Sequence, residues 1–193
     1  MSLDLADILK ASYRDKKAQE HLMRDNGFIR DADLSNDEYQ TYFNPKDKKL
    51  LFSVTGTHKL SDWGTDVALA FGGLKSTGRY KRAHSGIRKA KDKYKPAETI
   101  GVGHSLGSTI INGITSKGDK VYGVDGGYTF GQKTPSRTTH YRTSGDVVSL
   151  LGANATHTET LDNPNYGLLN MISPTYDAFQ SHNVENVKGT VFV

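Results

Sequence analysis

The 193-residue sequence contains no cysteine. This absence excludes disulfide bonds, zinc sites with thiolate ligands and cysteine nucleophiles. No run approaches the roughly 18 consecutive apolar residues of a membrane-spanning helix, so none is predicted. The HExxH, EF-hand and P-loop patterns are also missing, and the Asp, Glu and His residues are scattered. We therefore expect neither a metal nor a cofactor.

The amino-terminal residues lack the basic segment followed by an apolar segment that is typical of a secretory signal. A cytoplasmic location is the default expectation. Apolar residues make up 35% of the chain, and its mean hydropathy is −0.58. No internal repeat, low-complexity segment or linker interrupts the sequence, so we expect residues 1–193 to form a single domain.

The net charge of +4 comes largely from one segment, which contains nine basic residues and a single opposing acid, Asp92: Lys75, Arg79, Lys81, Arg82, Arg88, Lys89, Lys91, Lys93 and Lys95. One interpretation is a helix face that binds anionic lipid or nucleic acid. The favoured interpretation is a solvated amphipathic helix, because apolar side chains recur at spacings of three and four: Tyr80, Ala83, Ile87, Ala90 and Tyr94. Nucleic-acid binding is not expected.

Strand and helix patterns alternate through the first three quarters of the chain. Helix-like periodicity predicts helices over residues 3–23 and 108–117. Alternating or continuous apolar runs predict strands at 38–43, 49–54, 99–103, 120–125 and 138–143, the first two forming a hairpin. This order favours a three-layer α/β sandwich with a mostly parallel central sheet.

The most informative stretch is Gly103-His104-Ser105-Leu106-Gly107, between a predicted strand and a predicted helix. Glycines two before and two after a serine are typical of a nucleophile elbow. The turn is so tight that the flanking positions must lack side chains. We expect the turn to push the Ser105 hydroxyl into solvent and to leave the Leu106 N–H available for an oxyanion.

A serine nucleophile needs a histidine base and a carboxylate that orients it. Asp146 follows a predicted strand end and is the favoured acid, with Asp125 as the rival. His182, in a polar segment near the carboxyl terminus, is favoured as the base over His157. Thr57, at the end of an early strand, is well placed to give a second oxyanion donor.

A competing pattern overlaps the same stretch. Gly101, Gly103 and Gly107 follow a strand and precede a helix, and Asp125 ends the next strand. This arrangement imitates the phosphate-binding turn of dinucleotide-binding proteins, although the glycine spacing is a variant. The elbow interpretation is favoured.

Taken together, these segments resemble the class 3 (fungal-type) lipases of the α/β-hydrolase superfamily. Residues 103–107 are similar to that family's nucleophile motif, 54–57 to its oxyanion strand, 129–132 to the strand after the elbow, and 141–148 to the strand carrying the catalytic aspartate. The resemblance implies an α/β-hydrolase-like fold with Ser105, Asp146 and His182 as a catalytic triad. It implies an oxyanion hole at Thr57 and Leu106, and a lid or substrate segment that includes His58 and Trp63.

The implied activity is that of a serine esterase or lipase acting on an ester or lipid substrate. The chain departs from the family at Thr55, Ser108 and Lys133, where arginine, glycine and proline are common, and it is shorter than typical members. Compact proteins of this kind also resemble lipase-like proteins encoded by large DNA viruses. The alternative function is therefore a non-catalytic structural or lipid-binding protein, such as a virion component, that retains the lipase fold.

Overall fold

The computed structural model describes residues 3–13, 16–56, 75, 77–127, 138–144, 158–161 and 187–190. Within these residues, seven strands form one sheet in chain order. β1, β2 and β3 pair antiparallel, and each pair from β3 to β7 is parallel. The strands are β1 (Ile29–Arg30), β2 (Tyr39–Asn44), β3 (Lys49–Val54), β4 (Glu98–His104), β5 (Lys120–Val124), β6 (Thr138–Thr143) and β7 (Thr158–Leu161).

Helices pack on both faces of the sheet: α1 (Leu5–Tyr13), α2 (Lys16–Asp25), α3 (Gly78–Tyr94) and α4 (Leu106–Ile114). Leu51 and Phe52 are adjacent on β3 and point to opposite faces, as successive strand residues do. Leu51 belongs to a hydrophobic cluster that includes Leu9 of α1. Phe52 belongs to a second cluster, with Ile87 of α3 and Ile110 of α4. The predicted three-layer sandwich is therefore confirmed.

The amino-terminal helical region differs from the prediction. One helix was expected over residues 3–23, but the structure has two, α1 and α2. Apolar positions recur at helical spacing on both sides of the break, so the periodicity alone does not reveal it. Within the described residues, no helix has the length and apolar character needed to cross a membrane.

The basic segment forms α3 and behaves as an amphipathic helix. Its buried residues are Tyr80, Ala83, Gly86, Ile87 and Ala90. Three of its cations pair with acids from other elements: Arg82 with Glu38, Lys91 with Asp119 and Lys93 with Asp31. Ion pairing thus accounts for part of the basic excess, and contact with an anionic membrane stays a prediction.

Candidate active site

The turn between β4 and α4 holds the serine of the glycine-flanked motif. Ser105 has φ 55° and ψ −129°, a left-handed φ that costs a non-glycine residue about 1–3 kcal/mol. Its N–H donates to the carbonyl oxygen of Val124 on β5 at 2.8 Å, and its own carbonyl accepts the Ser108 N–H at 2.9 Å. Strand pairing on one side and the first turn of α4 on the other hold the strained residue in place.

Close backbone contacts require the glycines around Ser105. A Cβ on Gly103 would lie 2.6 Å from the Ser108 nitrogen, and a Cβ on Gly107 would lie 2.6 Å from the Thr55 carbonyl oxygen. Both distances are shorter than real Cβ atoms tolerate. The glycines therefore allow α4 to begin directly against the backbones of β3 and β4, which is the steric reason predicted for them.

Ser105 is enclosed, so the expectation of a solvent-exposed hydroxyl is wrong. The residue is only 3% exposed. Gly56, just after β3, lies directly against it, because a Cβ on Gly56 would be 3.0 Å from the Ser105 Cβ. The turn brings Ser105 to the carboxyl edge of the parallel strands, and the backbone leaving β3 packs over it there.

The same contacts speak against the dinucleotide interpretation. Gly101 and Gly103 make room for this chain's own helix, since a Cβ on Gly101 would lie 2.6 Å from Ile111 Cγ1. A doubly wound dinucleotide-binding sheet reverses its strand order at the binding strand. Within the described strands, the order from β3 to β7 does not reverse. The glycine pattern is therefore explained by helix packing.

Asp125 was the rival candidate for the triad acid. It follows β5 with φ 44° and is fully buried. Its two carboxylate oxygens accept hydrogen bonds from Thr143, one from the backbone N–H at 2.7 Å and one from the hydroxyl at 3.0 Å. Asp125 thereby anchors the carboxyl end of β6, the strand that precedes Asp146.

A neutral histidine lies close to the first turn of α4. His140 on β6 is 4% exposed, and a Cβ placed on Gly123 would meet both its Nδ1, at 3.0 Å, and Oγ of Ser108 in the first turn of α4. Burial lowers the pKa of His140 to about 4, because the charged imidazolium is costly to desolvate. The imidazole is therefore neutral near pH 7.

Most of the predicted site residues lie outside the described residues. The structure describes Ser105 and Leu106: Ser105 precedes α4, and Leu106 begins it, two residues before the predicted helix start at residue 108. The other predicted members are outside it: Thr57, His58, Trp63, Asp146 and His182, together with the rival base His157. Among the residues that are described, no group of three histidine or acidic side chains is arranged to hold a metal ion.

Two side chains that the sequence did not single out contact this site. The hydroxyl of Tyr13, the last residue of α1, bonds to the Gly56 N–H and lies 2.9 Å from Nδ1 of His104. Arg79, in the first turn of α3, donates to backbone oxygens at the end of β3. In the sequence, Tyr13 is one residue of a helical pattern and Arg79 is one of nine basic residues in a segment. Nothing in the sequence therefore marked either residue as part of the site.

Comparison with known proteins places this geometry in a known fold. No family model matches the sequence, and no similar sequence is found among curated proteins. A lipase from Yarrowia lipolytica is structurally similar, with a TM-score of 0.56 and 13% identity, over 83% of this chain and 77% of that one. The chain has a lipase-type α/β-hydrolase fold.

Two further structures agree. A triacylglycerol lipase described as having a serine protease triad as its catalytic centre aligns with a TM-score of 0.55 and 11% identity, over 81% of this chain and 76% of that one. A fungal lipase solved as an inhibitor complex aligns with a TM-score of 0.54 and 9% identity, over 93% and 94% of the two chains. The similarity extends over most of the chain, and at these identities it concerns the fold.

Proposed function

We propose that the protein is a serine carboxylic-ester hydrolase of the lipase or esterase type. Ser105 attacks the ester carbonyl while His182 takes its proton. Asp146 holds His182 in the required tautomer, and His182 then gives the proton to the leaving alcohol, which leaves the acyl group esterified to Ser105. A water molecule activated by His182 then hydrolyses this acyl-enzyme, releases the acid and restores the Ser105 hydroxyl. The backbone N–H groups of Leu106 and Thr57 stabilise the oxyanion, and each such donor is worth about 3 kcal/mol in the barrier.

The backbone of Ser105 is the observation that carries this proposal. A strained serine at the β4–α4 turn is well suited to present a nucleophile at the start of a helix. Leu106 is the first residue of α4, and the first N–H groups of a helix have no intrahelical acceptor. This supports Leu106 as an oxyanion donor.

The choice of Asp146 as the acid has separate support. Both carboxylate oxygens of Asp125 already accept hydrogen bonds from Thr143. Asp146 follows the carboxyl end of β6, which is the sheet edge at which Ser105 follows β4. Polar residues beyond the carboxyl ends of parallel strands meet at one crevice. A lipid ester is the favoured substrate class, because one similar structure is described as a triacylglycerol lipase.

The experiment is covalent labelling with a fluorophosphonate together with hydrolysis of a p-nitrophenyl ester series of increasing acyl length. Wild type should label and hydrolyse, and Ser105→Ala should lose labelling and at least about 10³-fold of the rate. Ser85→Ala, on the exposed face of α3, is the serine control and should behave as wild type. Equal labelling of Ser105→Ala would refute the assignment.

The choice of base is tested in the same assay. His182→Ala should lose hydrolysis to a similar extent as Ser105→Ala, whereas His157→Ala should keep most of it. The reverse pattern would make His157 the base and leave the rest of the proposal standing.

The enclosure of Ser105 favours one second candidate, a lipid-binding or structural protein that retains the fold without turnover. A nucleophile that is 3% exposed is inaccessible unless neighbouring chain moves. Failure of wild type to label at any probe concentration, with vesicle or lipid binding retained, would select this candidate over the hydrolase.

A further inference from the structure

The backbone beside Ser105 is held by two side chains from outside the sheet. The Tyr13 hydroxyl accepts a hydrogen bond from the Gly56 N–H. Nη2 of Arg79 donates to the carbonyl oxygens of both Thr55 and Gly56, the latter at 2.9 Å, and to the Thr55 hydroxyl at 2.8 Å. The N–H and the C=O of Gly56 are thus both held by side chains from helices, Tyr13 of α1 and Arg79 of α3.

Tyr13 connects this backbone to the elbow. A phenol has one proton to donate, and its oxygen accepts the Gly56 N–H. The same hydroxyl is hydrogen-bonded to His104 Nδ1 at 2.9 Å, and the tautomer of His104 decides which of the two atoms donates. Burial raises the pKa of Tyr13 to about 12, so the hydroxyl keeps this proton across the working pH range. One hydroxyl thereby bridges the residue before Ser105 and the residue before Thr57.

Arg79 acts on the adjoining peptide group. The Gly56 carbonyl shares a planar amide with the N–H of Thr57, the proposed oxyanion donor. A hydrogen bond from a cation to that carbonyl restricts rotation of the amide and polarises it, which strengthens its N–H as a donor. Burial lowers the pKa of Arg79, yet a guanidinium stays protonated in proteins.

The spacing leaves little tolerance for movement of this amide. A Cβ on Gly56 would be 3.0 Å from the Ser105 Cβ and also 3.0 Å from the His104 carbonyl oxygen. Gly56 is therefore in direct contact with the elbow. Catalytic groups must hold their productive geometry to within about 0.5 Å, so a small shift of this amide would weaken oxyanion binding.

We propose that Arg79 and Tyr13 are positioning residues of the hydrolase: Arg79 holds the carbonyl of the Gly56–Thr57 amide, Tyr13 holds the N–H on the other side of Gly56, and together they keep the Thr57 N–H in the orientation that stabilises the oxyanion at Ser105. This inference rests on the proposed ester hydrolysis. Neither residue touches the substrate. Their effect is felt in the transition state, where the oxyanion forms, and it should leave ground-state binding of the ester unchanged.

The test is steady-state kinetics with p-nitrophenyl butyrate on Tyr13→Phe and Arg79→Met. Each should lower kcat by about 10–100-fold and keep KM within about threefold, because losing one whole oxyanion donor costs about 10²–10³-fold. Inhibition by a trifluoromethyl ketone, whose adduct carries the oxyanion, should weaken by a factor parallel to the loss in kcat/KM. Arg79→Lys should recover part of the activity, since a single nitrogen makes all three contacts.

Matched controls lie on the same helix. Arg82→Met removes a neighbouring arginine that pairs with Glu38, and Tyr94→Phe removes a hydroxyl bonded to Asp31 at 2.7 Å. Both should keep kcat within about twofold. Circular dichroism and urea unfolding at the assay temperature identify any variant that fails to fold. If Arg79→Met does not fold, Tyr13→Phe, which deletes a single oxygen atom, and Arg79→Lys decide the result.

The outcomes separate the two proposals. An active wild type with Tyr13→Phe and Arg79→Met both within twofold in kcat overturns the positioning role and leaves the hydrolase standing. A rise in KM at unchanged kcat overturns it as well, because the effect would lie in substrate binding. A wild type that neither labels nor hydrolyses overturns both.

Discussion

Acidification should destabilise the protein through His140. The residue is buried on β6, and burial lowers its pKa from 6.5 to about 4. In the unfolded chain the imidazole takes up a proton as the pH falls through about 6.5. In the folded chain it does so only near pH 4. Between these values the unfolded state binds more protons, so the free energy of unfolding decreases as the pH falls.

The size of the effect follows from the two pKa values. A folded pKa of about 4 and an unfolded pKa of 6.5 give a loss of about 2 kcal/mol between pH 7 and pH 5 from this residue alone. That is a sizeable part of the 5–15 kcal/mol typical of a domain. The loss should level off below about pH 4, where both states are protonated.

The assay is urea unfolding at pH 7 and pH 5 for wild type and His140→Gln, which keeps a polar side chain but cannot titrate. The stability difference between the two proteins should shift by about 2 kcal/mol between the two pH values. His84→Gln, on the exposed face of α3, controls for the loss of one histidine and should not reproduce this shift.

Parallel pH dependence of wild type and His140→Gln would refute the reasoning. If the variant does not fold, the ring of His140 can be titrated by NMR in wild type. A pKa above about 6 would then refute the buried, neutral imidazole directly.

Two further predictions concern the packing of the elbow. Gly103→Ala should lower the free energy of unfolding in urea by at least about 1–3 kcal/mol, because its Cβ would lie 2.6 Å from the Ser108 nitrogen. Gly118→Ala is the control, since a Cβ there would have open space around it. Equal stabilities of the two variants would contradict the contact at Gly103. Ile110→Ala should lower the free energy of unfolding by about 2–5 kcal/mol in thermal or urea unfolding, because the Ile110 side chain is fully buried between α4 and the sheet. A loss below about 1 kcal/mol would show that the surrounding side chains close the cavity.

Strands with strong local patterns were predictable from the sequence. β3 and β6 occupy the predicted positions, and the hairpin of β2 and β3 forms as expected. These segments carry their own apolar or alternating pattern, so local sequence determines them. The break between α1 and α2 was missed, because helical periodicity continues across it.

The elbow was predictable for the same local reason, because its glycines are required by close contacts with residues nearby in the sequence and with the adjoining strand. Its enclosure was not, because Gly56 reaches Ser105 from 49 positions earlier in the chain (105 − 56). Tyr13 and Arg79 were missed for the same cause. Their hydrogen bonds join α1 and α3 to the end of β3, and such pairings depend on how helices pack across the sheet.

At Ser105, the residue that best stabilises the fold differs from the residue that the proposed chemistry requires. Glycine adopts φ 55° and ψ −129° with little strain, so Ser105→Gly should make the protein more stable. Gly103 and Gly107 are constrained by contacts that folding alone demands, and intolerance to substitution there reports only on stability. Ser105 is the position where the two demands oppose each other. In a mutational scan, the Ser105→Gly variant should be among the most abundant variants of this position and among the least active in hydrolysis. The difference between the two rankings then reports on catalysis alone, whereas at Gly103 and Gly107 a loss of activity also reflects a loss of stability.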